Sequence, residues 1–175
     1  MHEELLEHHS PIIQKVHPEH LTQDELAAMQ ALYTTDAVET YQSIVEDPVA
    51  RESLEKYFTD KAQSLVTAIS DPNQEFWLVK QGSDVVGMAG YNTERHLIHS
   101  VYISRDVRGQ GFGNLLMNSV LDGTSASLPR TRTIQVASAN VRAINFYKSL
   151  DFEPTGRSKE WNIGGATIPE IEFAI

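Results

Sequence analysis

The sequence predicts a mixed α/β fold, and three observations carry that expectation. Helix-like and strand-like segments alternate along the chain. A hairpin of two apolar strands occupies residues 75–91. A strand at about 96–103 then runs through a glycine-rich turn straight into a helix.

Taken in order, residues 12–16 read as a first strand. Residues 22–33 read as an amphipathic helix, opened by the capping pattern Thr22-Gln23-Asp24-Glu25. A second, weaker helix is expected from Val38 to about Val45, and Asp47-Pro48 breaks or restarts the chain. Residues 56–70 carry the apolar stripe Tyr57, Ala62, Leu65, Val66 and Ile69, the spacing of one helix face, and Asp71-Pro72-Asn73 ends it. The hairpin pairs 75–80 with 85–91 across the turn Gln81-Gly82-Ser83-Asp84. The helix after the glycine-rich turn ends near Gly123, and 125–129 form a loop. Residues 133–137 read as a strand, 141–150 as a helix, and two short strands flank Gly164-Gly165. No repeat, linker or low-complexity tract divides the chain, so its 175 residues are expected to form one domain.

Composition narrows the function classes. Hydrophobic residues make 41% and charged residues 22%, the balance of a globular domain. No apolar run approaches a membrane span, and the acidic start Met1-His2-Glu3-Glu4 is unlike a secretory signal. Cysteine is absent, which excludes disulfides, thiol nucleophiles and thiolate metal sites and is compatible with the cytoplasm. A formal charge of −10 argues against nucleic acid and would draw a cationic small molecule. His2, His8, His9, His17 and His20 follow no helical or strand spacing, so no metal site is expected from them.

The stretch Arg108-Gly109-Gln110-Gly111-Phe112-Gly113 carries the chemistry. Glycines without Cβ atoms let successive backbone N–H groups converge on one anion, and the positive end of the following helix faces the same point. A phosphate or pyrophosphate suits such a cradle. The P-loop is excluded, because Asn114-Leu115 stands where Lys and Ser or Thr are needed. The dinucleotide fingerprint is excluded by the alternation of Gly109, Gly111 and Gly113.

A second stretch follows, Asn140-Val141-Arg142-Ala143-Ile144-Asn145-Phe146-Tyr147, ahead of Asp151-Phe152. With both stretches in this order, the chain resembles the GCN5-related N-acetyltransferase (GNAT) family. Arg108, Gly111 and Gly113 match that family's Arg/Gln-x-x-Gly-x-Gly/Ala turn; Asn140, Ala143, Phe146 and Tyr147 match its later motif. Asp151 departs from the family's usual Gly, at a turn where Asp tolerates a left-handed backbone. The resemblance implies a mixed, mostly antiparallel sheet of about seven strands with helices on both faces, and acetyl-CoA as cofactor. Residues Val101, Tyr102, Ile103, Arg108, Gly109, Gln110, Gly111, Phe112, Gly113 and Asn114 would bind it, joined by Asn140, Ala143, Phe146 and Tyr147.

The resemblance also implies the activity, acetyl transfer to a primary amine by direct attack in a ternary complex. Tyr147 is the expected general acid, since a phenol suits donation to a departing thiolate. The base is open among Glu94, His96, His99 and a water chain. In layout the chain is similar to bacterial spermidine/spermine-type acetyltransferases, for which Glu39, Tyr41, Glu46 and Asp47 are candidate amine contacts. Peptide amines, amino acids and aminoglycosides remain open, as does a homodimer. A non-catalytic CoA-binding regulator or sensor is the alternative, and a nucleotide-binding protein using the same cradle is a third.

Overall fold

The computed structural model describes residues 10–124 and 131–175. The acidic N-terminal segment, His2, His8, His9 and the loop expected at 125–129 lie outside the described residues.

Among the described residues, seven strands form one sheet in the order β1-β2-β3-β4-β5-β7-β6. They are β1 (Ile12–Lys15), β2 (Gln74–Gln81), β3 (Asp84–Asn92), β4 (Leu97–Ile103), β5 (Thr133–Ala137), β6 (Glu153–Ile163) and β7 (Ala166–Ala174). Every neighbouring pair is antiparallel except β4 and β5, which are parallel. The sheet expected from the sequence is therefore the sheet observed. The last two strands are corrected in length: they run 11 and 9 residues and pair along most of them. Alternation on β6 is obscured because it is an exposed edge strand with little buried surface to mark its pattern.

Alternation along β2 shows how the sheet separates two cores. Phe76 and Leu78 point into a cluster with the helices α1 (Gln23–Ala31), α2 (Val38–Gln42), α3 (Pro48–Gln63) and α4 (Leu65–Ile69). Trp77 and Val79 point into a cluster with α5 (Phe112–Thr124) and α6 (Val141–Ser149). Helices thus cover both faces.

The capping box at Thr22 forms with both halves, and Glu25 also pairs with Lys80 at 2.8 Å. Lys80 holds the Glu25 carboxyl below the usual carboxylate range. The first two helices are one continuous run rather than two separate segments, because a π-helical turn at Leu32–Ala37 joins them without a break. That wide turn buries Tyr33 and Asp36. The next helix begins at Pro48, not Lys56. Asp47 caps it by accepting from the Ala50 amide at 2.8 Å, and Pro48 sits in the first turn, where a missing N–H costs nothing. The Asp-Pro pair is a helix start. The long stripe predicted through residue 70 is interrupted at Ser64, where α4 restarts the run.

Thr22→Ala removes one half of the capping box and is expected to lower unfolding free energy by about 1 kcal/mol. Urea denaturation of the two proteins checks it; equal midpoints would show that α1 does not depend on its cap.

Candidate functional site

The site begins with an irregularity in β4. Met88 pairs with Tyr102 and Gly90 pairs with His99, so β4 carries one extra residue opposite Ala89. This is a β-bulge, and Ser100 takes a left-handed conformation (φ 55°) to make it. Parallel pairing with β5 covers only Leu97 with Thr133 and Ile98 with Ile134. Beyond those positions the two strands part. A cavity of about 740 Å³ opens in the wedge, lined by Leu97 to Ile103 of β4, Ile134 to Ala137 of β5, and the glycine-rich turn.

At one end lies the cradle. Gly109 and Gly111 have φ of +77° and +87°, and a Cβ built at either meets nothing within 4 Å. The concave side of the turn is open, and glycine's backbone freedom makes that shape. The first-turn amides of α5 lack partners within the helix, and Phe112, Gly113 and Asn114 of that turn line this space. Gly113 serves differently: a Cβ there would press on the Phe146 ring at 3.1 Å, so the glycine lets α6 approach α5. Arg108 is fixed by donating from Nε to the Ile103 carbonyl at 2.9 Å, with Nη2 3.4 Å from Asp36 Oδ1. Burial raises the Asp36 carboxyl, although the Arg105 amide, which donates to it at 3.0 Å, and Arg108 oppose that shift. Arg105, Arg108 and Arg142 surround a smaller depression beside the cradle. Such a rim fits the phosphates of a coenzyme A; amides, open turn and cations all suit a multiply charged anion.

Every cofactor-contact residue expected from the sequence lines the cavity except Gln110, whose side chain is exposed and donates to the Asp106 carbonyl. Asn140 caps α6 by accepting from the Ala143 amide at 3.1 Å. Asp151 adopts φ 66°, the left-handed backbone expected at that turn. Tyr147 is buried at the cavity wall against Phe146 and Phe152. Burial first, then Tyr41, pushes its phenol far above the ordinary value, so it stays protonated.

Of the base candidates, the structure brings only His99 to the cavity. Glu94 is exposed in the turn between β3 and β4 and does not line it. His96 lies in the same turn, beside Tyr91. His99 donates from Nε2 to Gln74 Oε1 (2.8 Å), which leaves Nδ1 to accept from the Ser100 hydroxyl (2.9 Å). Ser100 Oγ in turn accepts from Tyr33 Oη at 2.7 Å. The chain of donors has one direction, toward a neutral imidazole. Burial, then Lys61 and Arg95, pushes His99 down to about 4. Gly90 makes room for it: a Cβ there would collide with the ring.

The far end of the cavity is aromatic. Tyr33, Tyr41, Tyr57, Phe58, Tyr102 and Trp161 line it, with Tyr57 and Trp161 ring centres 5.0 Å apart. Lys61, Lys159 and Glu170 also line it. Of the four acceptor contacts expected from the sequence, only Tyr41 belongs here. Glu39 pairs with Arg105 at 2.6 Å beside the smaller depression, Glu46 is exposed, and Asp47 is spent on the α3 cap. Sequence reasoning missed Lys61, Ser100, Arg142, Lys159 and Glu170 as lining residues. Arg142 stands inside the second motif and was legible there; the others come together from α3, β4, β6 and β7 with no common spacing.

A profile for the acetyltransferase (GNAT) domain matches residues 30–163. A peptidyl-lysine N-acetyltransferase, YjaB, of Salmonella typhimurium is 37% identical over 65 residues, covering 37% of this chain and 41% of the relative. The chain thus spans less than two thirds of the length of the curated relatives it matches. Among solved structures, a GCN5-related N-acetyltransferase from Rhodopseudomonas palustris superposes with a TM-score of 0.74 at 15% identity, over 95% of this chain and 96% of that one. A PaiA N-acetyltransferase from Thermoplasma acidophilum, in complex with coenzyme A, gives 0.70 at 16% identity, over 93% and 98%. These two likenesses show a shared fold.

The half-buried His99 has a consequence for stability. Its folded value lies below the unfolded one of 6.5, so the unfolded chain binds more protons between about pH 4 and 6.5. Stability is full above the upper limit and falls as pH drops through the window, by on the order of 2–3 kcal/mol. Denaturation across pH 4–7 checks this, and His99→Gln is expected to flatten the slope; an unchanged slope in that variant would place the proton uptake elsewhere.

Proposed function

The chain belongs to the GNAT acetyltransferase family, and from that premise we propose that it transfers an acetyl group from acetyl-CoA to a primary amine. The observation that supports this reading most is the wedge between β4 and β5. It joins an anion cradle at Gly109–Gly113 to an aromatic acceptor space through one continuous cavity, which suits both substrates bound together.

Bound with its pyrophosphate on the turn, acetyl-CoA supplies a thioester whose acetyl carbon bonds to the acceptor nitrogen as its C–S bond breaks. The chain's part is to hold, shield and move protons. Backbone groups on the β5 side of Val101 to Ile103, beyond the two paired positions, would hold the cofactor arm and polarise its carbonyl, the Ile103 oxygen being already engaged by Arg108. The Ser100 hydroxyl takes one proton from the acceptor amine as it passes its own to His99 Nδ1. Tyr147 Oη gives its proton to the departing sulfur. A phenol is protonated at neutral pH and so has a proton to give, and burial keeps it protonated. We place the protein in the cytoplasm, where a chain without cysteine has nothing to gain from an oxidising compartment.

Coenzyme A release from acetyl-CoA, measured over a panel of amines, tests the reading directly: saturable turnover supports it, and none with any amine despite acetyl-CoA binding refutes it. Tyr147→Phe is expected to lower kcat about 100-fold with little change in acetyl-CoA affinity; wild-type turnover would remove Tyr147 from the acid role. Gly111→Glu, which sets a carboxylate into the open cradle, is expected to weaken coenzyme A binding about 100-fold or more in calorimetry, while Gly111→Ala loses far less. Equal affinity in a folded Gly111→Glu protein would displace the anion from this turn.

A further inference from the structure

The charge inside the cavity is opposite to that of the molecule. The protein as a whole carries −10. The charged residues lining the cavity are Lys61, Arg108, Arg142 and Lys159 against the single carboxylate of Glu170. Arg108 and Arg142 stand at the phosphate end, where cations are expected. Lys159 is paired with Glu170 at 3.2 Å. Lys61 differs: no carboxylate lies within 4 Å of its ammonium among the described residues, whose ion pairs all involve other side chains. The Tyr57 ring stands beside it, its centre 6.0 Å from Nζ.

We infer that Lys61 anchors a carboxylate on the acceptor, so that the substrate is an α-amino acid with an apolar or aromatic side chain rather than a polyamine. This rests on the acetyltransferase reading and specifies its substrate. Three physical points carry it. A half-buried ammonium without an anion is costly, and a substrate carboxylate supplies the missing partner. A polyamine would bring a second cation beside Lys61, in a space whose only carboxylate is already paired. The walls, Tyr41, Tyr57, Phe58 and Trp161, offer an apolar side chain a surface of ring edges and faces, with Phe58 and Trp161 centres 6.4 Å apart.

Lys61 and His99 line the same cavity, and the Lys61 charge helps hold the imidazole neutral. An α-amino acid carries its nitrogen one carbon from its carboxylate. With the carboxylate on Lys61, the nitrogen can turn toward the Ser100–His99 pair. The carboxylate in turn relieves the push that Lys61 exerts on His99, making the imidazole a better proton acceptor just when the substrate is present.

The test compares phenylalanine, phenylalaninamide and phenethylamine, with spermidine beside them, in wild type and in Lys61→Met and Lys61→Glu. In wild type, kcat/KM is expected to be about 10- to 100-fold higher for the amino acid than for its two uncharged-end analogues. In Lys61→Met that preference collapses, and in Lys61→Glu it reverses. Equal rates with and without the carboxylate, or spermidine as the best acceptor in wild type, overturn the inference while leaving the acetyltransferase reading intact. A binding measurement covers the case of no turnover. Quenching of tryptophan fluorescence, with Trp161 in the wall, is titrated with N-acetylphenylalanine and with N-acetylphenethylamine in the presence of coenzyme A. Tighter binding of the carboxylate in wild type and not in Lys61→Met supports the anchor even if catalysis fails; equal binding of the two refutes it.

Discussion

Two residue pairs hold β4 against β5, and then the strands separate. A parallel sheet normally continues its ladder, because each unpaired buried N–H or C=O is costly. Here the bulge at Ser100 re-aims β4, and the released backbone groups turn toward the cavity. Nearly everything functional depends on that departure. It opens the wedge, exposes the edges of Val101 to Ile103, and directs the end of β4 into the turn that begins α5. It also places Ser100 between Tyr33 and His99. The π-helical turn that carries Tyr33 supports the bulge from the other core, so two local irregularities lock one another.

The second organising feature is a separation of charge. Acidic side chains occupy the helical surface and the N-cap of α3, while the cavity holds cations at both ends. An acidic exterior attracts cationic molecules from solution, yet the interior favours anionic groups. Selection by the cavity thus differs from the expectation drawn from net charge alone. Electrostatics at the scale of the whole chain describes encounter and solubility; the site answers to the few charges that line it.

The fold was largely legible because its signals are local. The hairpin at 75–91, the capping box at Thr22 and the glycine-rich turn each announce themselves within a few residues, and the structure places them where the sequence puts them. The start of α3 was misjudged because Asp47-Pro48 reads equally as a break and as an N-cap followed by a first-turn proline. The long β6 was missed because an exposed edge strand leaves no apolar rhythm. Likewise, residues expected to touch the cofactor sit together, since two compact motifs carry them. The acceptor end was not legible. Its aromatic walls and Lys61 arrive from separate elements, and only the packing of α3 against the sheet and β6 brings Tyr57, Lys61 and Trp161 to one space. Charged residues near α2 were tempting for their sign, but they are consumed by a cap and a surface ion pair.

Backbone amide exchange with and without acetyl-CoA tests the central claim, that the divergence of β4 from β5 makes the cofactor site. Residues 101–103, with 109 and 111–114, line the wedge and the cradle, so the amides of both groups are expected to gain protection together on binding. Protection confined to other parts of the sheet, with these two groups unchanged at saturating ligand, would contradict the account.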